Sequence, residues 1–346
     1  MLRSRRMWLG VALSVVFIAI FVLRTDFGEI GDAFAHANYW WALAALPVYF
    51  TAAWFRAWRW KYLLRPLGEM RVSSLFPIVI IGFMANNLIP ARAGELVRAY
   101  IVGERERVSK MAALGTIAVD RVFDGITLLP ILLIVGAFAG TNHQLRFIAI
   151  SMTVLFGAGL LVMIALALSE GFSHWVVRLV LRLTPSRLKA QVEELVQSFL
   201  TGLHSFRRPG DMLAASVTSL ISWLLEATMY YMVGLAFNLD VGFHVYLLVT
   251  AGANLAIAVI ATQGGVGPFE VVTRETVAFF GVESGAASAY AVALHALLLI
   301  PVIALGLYFL WAINLSLGDV LRGWVAAKGG PEASAANLNQ KESNKG

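Results

Sequence analysis

Two interruptions of otherwise apolar, helix-forming segments constrain this chain more than any other feature: Asn86-Asn87-Leu88-Ile89-Pro90-Ala91-Arg92-Ala93-Gly94-Glu95-Leu96-Val97-Arg98 and Thr262-Gln263-Gly264-Gly265-Val266-Gly267-Pro268-Phe269-Glu270-Val271-Val272-Thr273-Arg274. Pro90 and Pro268 cannot donate an interior helical hydrogen bond, and the glycines beside them reach backbone conformations that other residues resist. In hydrocarbon an unpaired backbone N–H or C=O is costly, so irregular backbone survives there only when it packs within protein or lines a wet cavity. Each segment then resumes as a helix carrying a glutamate and an arginine. The interruptions lie in opposite halves of the chain, the pattern of two repeats built around a central site.

The hydrocarbon premise comes from composition: 59% of the 346 residues are hydrophobic, 14% are charged, and the mean hydropathy is +0.75. At about 20 residues per crossing, the length leaves room for roughly six to nine membrane segments and no large soluble domain. The formal charge of +6 resides in short basic loops, where Lys and Arg set topology and meet anionic headgroups, so nucleic acid is not an expected partner. Cysteine is absent and the six histidines show no ligand spacing, so neither a metal nor any other cofactor is implied.

Charge distribution orders the segments. Arg3, Arg5 and Arg6 precede an apolar run from Met7 to Leu23 with no small-residue cleavage site after it, which reads as an uncleaved first span with a cytoplasmic amino terminus. Tyr39 to Leu64 returns and ends in a basic cluster. Leu75 to Ile89 is followed at once by Arg92, Arg98, Arg105, Arg107 and Lys110, and this cluster stays inside only if the chain turns back at the first interruption. Met111–Ala139, Leu145–Leu168, Met212–Phe237 and Ala286–Ile313 complete the crossings, with Val245 to Phe280 forming a second hairpin that enters from outside. The expected fold is thus an all-α polytopic membrane helix bundle of six full spans plus two opposed re-entrant hairpins, an inverted-topology arrangement. Eight ordinary, kinked spans remain the alternative. Residues 1–317 form one transmembrane domain, with an amphipathic cytoplasmic helix over 186–206 lying in the headgroup region, and 318–346 form a polar cytoplasmic tail of disordered composition.

The candidate site follows from the interruptions and from charges inside the spans. N–H groups freed at a resumed helix start make an anion site, and Arg92, Arg98 and Arg274 stand within about a turn of one. The structural alternative pairs Glu95 with Arg98 at i+3 and Glu270 with Arg274 at i+4. Asp120, Arg121 and Asp124 lie deep in the Met111–Ala139 span, as a static ion network or as a relay. Glu226 and Asn254 are weaker candidates, and His295 reads as a hydrogen-bonded packing histidine. The run Trp54-Phe55-Arg56-Ala57-Trp58-Arg59-Trp60-Lys61 reads as an interfacial anchor. Gly264-Gly265-Val266-Gly267 lacks the βαβ context of a nucleotide loop.

With Asn87-x-x-Pro90-x-Arg92-x-Gly94-Glu95-x-x-Arg98, Asp120-Arg121-x-x-Asp124 and Gly264-Gly265-x-Gly267-x-x-Glu270 in that order, the chain resembles the flippase-like integral membrane family that includes the transmembrane part of lysylphosphatidylglycerol synthase. The resemblance covers about residues 7 to 313. It implies movement of a lipid, either an anionic phospholipid or a polyprenyl-linked saccharide, between the leaflets of the inner cell membrane, with both termini cytoplasmic. No soluble aminoacyl-transfer segment follows the spans, so enzyme activity is not expected. A membrane-embedded transferase acting on a lipid, and a non-transporting partner of envelope-biosynthesis enzymes, stay open as alternatives, as does a homo-oligomer. The residues taken to bind or pass the lipid are Asn87, Pro90, Arg92, Gly94, Glu95, Arg98, Asp120, Arg121, Asp124, Gly264, Gly265, Gly267, Glu270 and Arg274.

Overall fold

A computed structural model describes residues 27–89, 93–138, 143–185, 188–259 and 262–315. The expected first span, Pro90, Arg92, the turn at 139–142 and the polar tail lie outside these residues. Within them the chain is helical with no strand: α1 (Phe27–Ala35), α2 (Tyr39–Leu64), α3 (Val72–Leu88), α4 (Gly94–Glu106), α5 (Lys110–Phe138), α6 (His143–Leu168), α7 (Glu170–Leu183), α8 (Lys189–Leu203), α9 (Pro209–Ala236), α10 (Phe243–Val259), α11 (Pro268–Phe279) and α12 (Ser284–Ala312).

Both interruptions are hairpins. In the first, α3 and α4 pack antiparallel through small residues: a methyl group added at Gly94 would lie 2.1 Å from the Gly82 carbonyl oxygen, and one at Gly82 would lie 2.5 Å from Cγ of Arg98. In the second, a methyl at Gly265 would meet Ile257 at 3.0 Å, and one at Gly252 would meet Val272 at 3.3 Å, which sets α11 antiparallel to α10. Such approaches let backbones come close and take the place of the bulky side chains that would hold the helices apart.

The hairpins meet at their tips. Gly264, in the second turn, approaches the carbonyl of Asn87 at the end of α3 to within 3.6 Å of where its side chain would begin. Helix α12 runs past both. Its first turns hold Arg274 through Ser288, its middle holds the second turn through His295, and its last third packs Gly306 on Met84 and Phe309 on Phe76 of α3. The hairpins therefore approach each other from opposite ends of α12.

Two described helices, α9 and α12, are long and apolar enough to cross a membrane on composition alone. Helices α2 and α5, at 26 and 29 residues, have the length as well, since about 1.5 Å per residue carries either across roughly 30 Å of hydrocarbon. Both carry buried charge: Arg59 of α2 pairs with Asp120 and Asp124 of α5, and Arg56 of α2 pairs with Glu226 of α9. Lengths also recur: helices of 26, 17, 13 and 29 residues (α2–α5) are matched by 28, 17, 12 and 29 (α9–α12). The amphipathic segment forms α8, yet it is more than a surface connector. Gly202 and Gly115 bring α8 against the amino-terminal half of α5 so closely that a methyl at Gly202 would lie 2.2 Å from the Ala112 carbonyl oxygen.

Candidate functional site

Four elements, α2, α4, α5 and α9, bring a charged cluster together behind the first hairpin. Asp120 sits ten residues into α5, about 15 Å along its axis, and is buried. Its Oδ1 accepts from Nε of Arg59 at 2.7 Å, and its Oδ2 accepts from Arg98 and Arg121, each at 3.1 Å. Asp124, one turn on, accepts from Arg59 at 2.8 Å and pairs with Arg121 at 3.0 Å. Arg59 is wholly buried, and its remaining arm donates to Ser219 of α9 at 2.8 Å. Beside them the Arg98 guanidinium lies 4.1 Å from the ring centroid of Trp60, whose indole donates to Thr116 at 3.0 Å. A charge that deep survives only because each arginine meets carboxylate oxygens in fixed geometry.

The cluster is incompletely satisfied. Nε of Arg98 and Nε of Arg121 are buried with no hydrogen-bond partner among the described residues. Arg121 is also the cluster's opening, its side chain 37% exposed where those of Arg59 and Asp120 are closed off. Glu95 lies within electrostatic range of both arginines and takes a long contact from Asn86 at 3.5 Å. Asn86 in turn accepts from the Gly94 N–H at 2.8 Å, supplying the cap that the break removed.

A second polar chain continues from the first. Arg56, one turn before Arg59, is paired with Glu226 and donates to Ser222 at 3.1 Å. Glu226 accepts from Asn254 of α10 at 3.1 Å, and Asn254 also meets the Tyr230 hydroxyl at 3.3 Å. The second break has its own fastening. Glu270 accepts the Gly267 N–H at 2.7 Å and lies 2.6 Å from Nδ1 of His295, while Nε2 of His295 lies 2.9 Å from the Gly264 carbonyl.

Several sequence expectations meet this geometry directly. Asn87, Gly94, Glu95, Arg98, Asp120, Arg121 and Asp124 converge at or beside the first tip, and Gly264, Gly265, Gly267 and Glu270 form the second. Arg274 is not at the tip: it is held at the start of α12 by Ser288, Ser284 and Glu275. Arg98 reaches Asp120 rather than Glu95, and Glu270 reaches His295 rather than Arg274, so the two intrahelical pairings give way to tertiary ones. The interfacial-anchor reading fails for Arg56 and Arg59, which turn inward together from one face of α2. Their spacing of three residues was the available signal. His295 is a buried, hydrogen-bonded packing histidine as expected, set against Phe269, and it also bridges the second break; the signal for that added role was being the one histidine in a 29-residue helix without any charged side chain.

The family of the lysylphosphatidylglycerol synthase transmembrane region matches residues 7–306. The chain belongs to that family. It is therefore an integral membrane protein, and the hairpins and buried ion cluster are features of a member of the lysylphosphatidylglycerol synthase transmembrane family. Among its relatives, a UPF0104 membrane protein of Methanothermobacter thermautotrophicus is 26% identical over 294 residues, covering 81% of this chain and 87% of that protein. A second UPF0104 membrane protein of the same organism is 25% identical, covering 91% of this chain and 96% of that protein. Glycosyltransferase AglD of Haloferax volcanii is 28% identical over 342 residues; the match takes in 89% of this chain and 54% of AglD, so this chain spans about half of that relative's length.

Proposed function

We propose that this protein moves an anionic phospholipid or a polyprenyl-linked saccharide between the leaflets of the inner cell membrane. The headgroup phosphate docks at the seam where the two hairpin tips meet. The observation that carries this reading is the pair of unpartnered donors, Nε of Arg98 and Nε of Arg121, in a cluster that opens beside the tips through Arg121. A phosphate oxygen is the acceptor such guanidinium edges suit best. The likeness to AglD, a glycosyltransferase by name, supports a lipid-linked sugar as one of the two substrate classes. In this reading α2–α5 and α9–α12 are inverted repeats, with the amino and carboxyl termini cytoplasmic, and the acyl or polyprenyl tail stays in lipid while the headgroup crosses. Arg98 and Arg121 hold phosphate, Glu95 and Asp120 balance their charge, and Arg274 supports the second hairpin away from the substrate.

A scramblase assay tests this. Protein reconstituted into liposomes is supplied in parallel with a labelled anionic phospholipid and a labelled polyprenyl-phosphate sugar. Movement of either is expected from the parent and is expected to fall at least about tenfold in Arg121→Gln, which loses a charge-assisted contact of about 1.5–3 kcal/mol. Arg121 is the half-exposed member of the cluster, so its loss leaves the deepest ion pairs in place. Failure of the parent to move either lipid would sink the proposal.

A further inference from the structure

The fastening of the second break contains a protonation constraint. A backbone carbonyl only accepts hydrogen bonds, so the 2.9 Å contact between the Gly264 oxygen and His295 requires a proton on Nε2. The 2.6 Å contact between Nδ1 and Glu270 Oε1 then needs a proton of its own, on either the imidazole or the carboxyl. A neutral imidazole facing an ionised carboxylate has only one N–H for two acceptors, and one contact would set lone pair against lone pair in a buried place.

We propose that Glu270 and His295 together bind one exchangeable proton, and that this proton locks the second break against the first. When it leaves, the single remaining N–H turns to the charged acceptor, Glu270, because a charge-assisted bond outweighs one to a neutral carbonyl. The Gly264 carbonyl is released. Gly264, Gly265 and Gly267, at φ of 63°, 77° and 96°, rearrange without a side-chain penalty, and Gly264 is the residue that abuts Asn87 of the first tip. The seam between the hairpins opens and the proton passes to water admitted there; no other bond changes.

Among the described residues no other ionisable group competes for this role. On α11, Arg274 is engaged by Ser284, Ser288 and Glu275. On α12 the nearby titratable side chain is Tyr290, which donates to the Tyr230 carbonyl. From α9, Glu226 is held by Arg56 and Asn254, and the Tyr230 hydroxyl sits beside Asn254. Helix α10 offers His244, stacked edge-on to Phe280, and Tyr246, stacked edge-on to Tyr290. Helix α3 carries no ionisable side chain, Glu95 of α4 meets Asn86, and Glu29 of α1 lies against Gly285, ten residues from His295.

The chain's lack of cysteine provides the test. Thr262 is buried within the second break and its hydroxyl has no hydrogen-bond partner among the described residues, so Thr262→Cys is a mild reporter. Maleimide labelling of this variant in detergent is measured from about pH 5 to pH 9, each rate divided by that of the SDS-denatured protein at the same pH. The ratio is expected to rise by up to about tenfold per pH unit below the pair's midpoint and to level off above it. Adding Glu270→Gln is the decisive arm: its amide N–H serves Nδ1 and its oxygen still accepts from Gly267, which imitates the protonated pair, so the ratio is expected to stay low at every pH. Adding His295→Leu is expected to hold it high at every pH. A parent ratio that is flat with pH overturns the proposal, as does a Glu270→Gln ratio that follows the parent's rise. Where His295→Leu is not monodisperse, these two measurements decide alone. No lipid moves in this experiment, so its outcome is separate from that of the transport assay.

Discussion

The two hairpins do the same geometric job with opposite chemistry. The first is backed by Arg59, Arg98, Arg121, Asp120 and Asp124, groups that stay ionised because each has several partners in fixed positions. The second is backed by one carboxyl–imidazole contact and three glycines in left-handed conformations. A network of many ion pairs is stiff, since moving any member strands the rest. A single bond between two titratable groups is easily broken and remade. The contrast makes the first fastening the stiffer of the two, and it is the second that the proposed proton lock would release.

The sharpest way to break that contrast is to cut each fastening at its centre. Asp120→Asn leaves Arg59 and Arg121 sharing Asp124 and takes from Arg98 its ion-pair partner, and a stranded buried charge costs about 3–5 kcal/mol. Thermal unfolding in detergent is expected to show a large fall in Tm, or no monodisperse protein, whereas Glu270→Gln keeps a near-parental Tm. Equal losses in the two variants would erase the distinction.

Glycine substitutions sharpen the comparison at intermediate size. Gly94→Ala would drive a methyl into the Gly82 carbonyl and force the α3–α4 hairpin apart, for about 1–3 kcal/mol of overpacking. Gly264→Ala meets nothing closer than 3.6 Å and costs only the left-handed backbone, about 1–2 kcal/mol. Gly264→Asn, which tolerates that conformation, should recover part of the loss, while Gly94→Asn should recover none; stability series on the four variants check this. The smallest effect is expected from Ser288→Ala, which removes one of the hydrogen bonds to Arg274, worth about 0.5–1.5 kcal/mol, and should leave both tips and the pH response of the labelling ratio unchanged.

Much of the backbone was legible because proline and glycine inside an apolar run have few readings. The positive-inside constraint singled out the hairpin at Asn86–Gly94, and antiparallel packing of Gly82 on Gly94 is what such a turn requires. Side-chain partners were less legible. Sequence spacing favours pairs within one helix, so Glu95–Arg98 and Glu270–Arg274 were natural expectations, yet the actual partners, Asp120 and His295, come from the next helix in each half. Arg59 was hidden by position: near the end of a span a basic residue normally reaches for headgroups, and only the carboxylates of α5 turn this one inward. Tertiary pairing of that kind leaves no periodic trace along the chain.

Helix α12 touches the second hairpin through Ser288 and His295 and the first through Gly306 and Phe309. It works as a common rail on which both hairpins are indexed. One residue inserted between His295 and Gly306 would rotate the two sets of contacts by about 100° relative to each other and slide them about 1.5 Å, with no bond in either hairpin altered. The middle of α12 cannot change length freely, because its residue count is the measure that keeps the two hairpins in register.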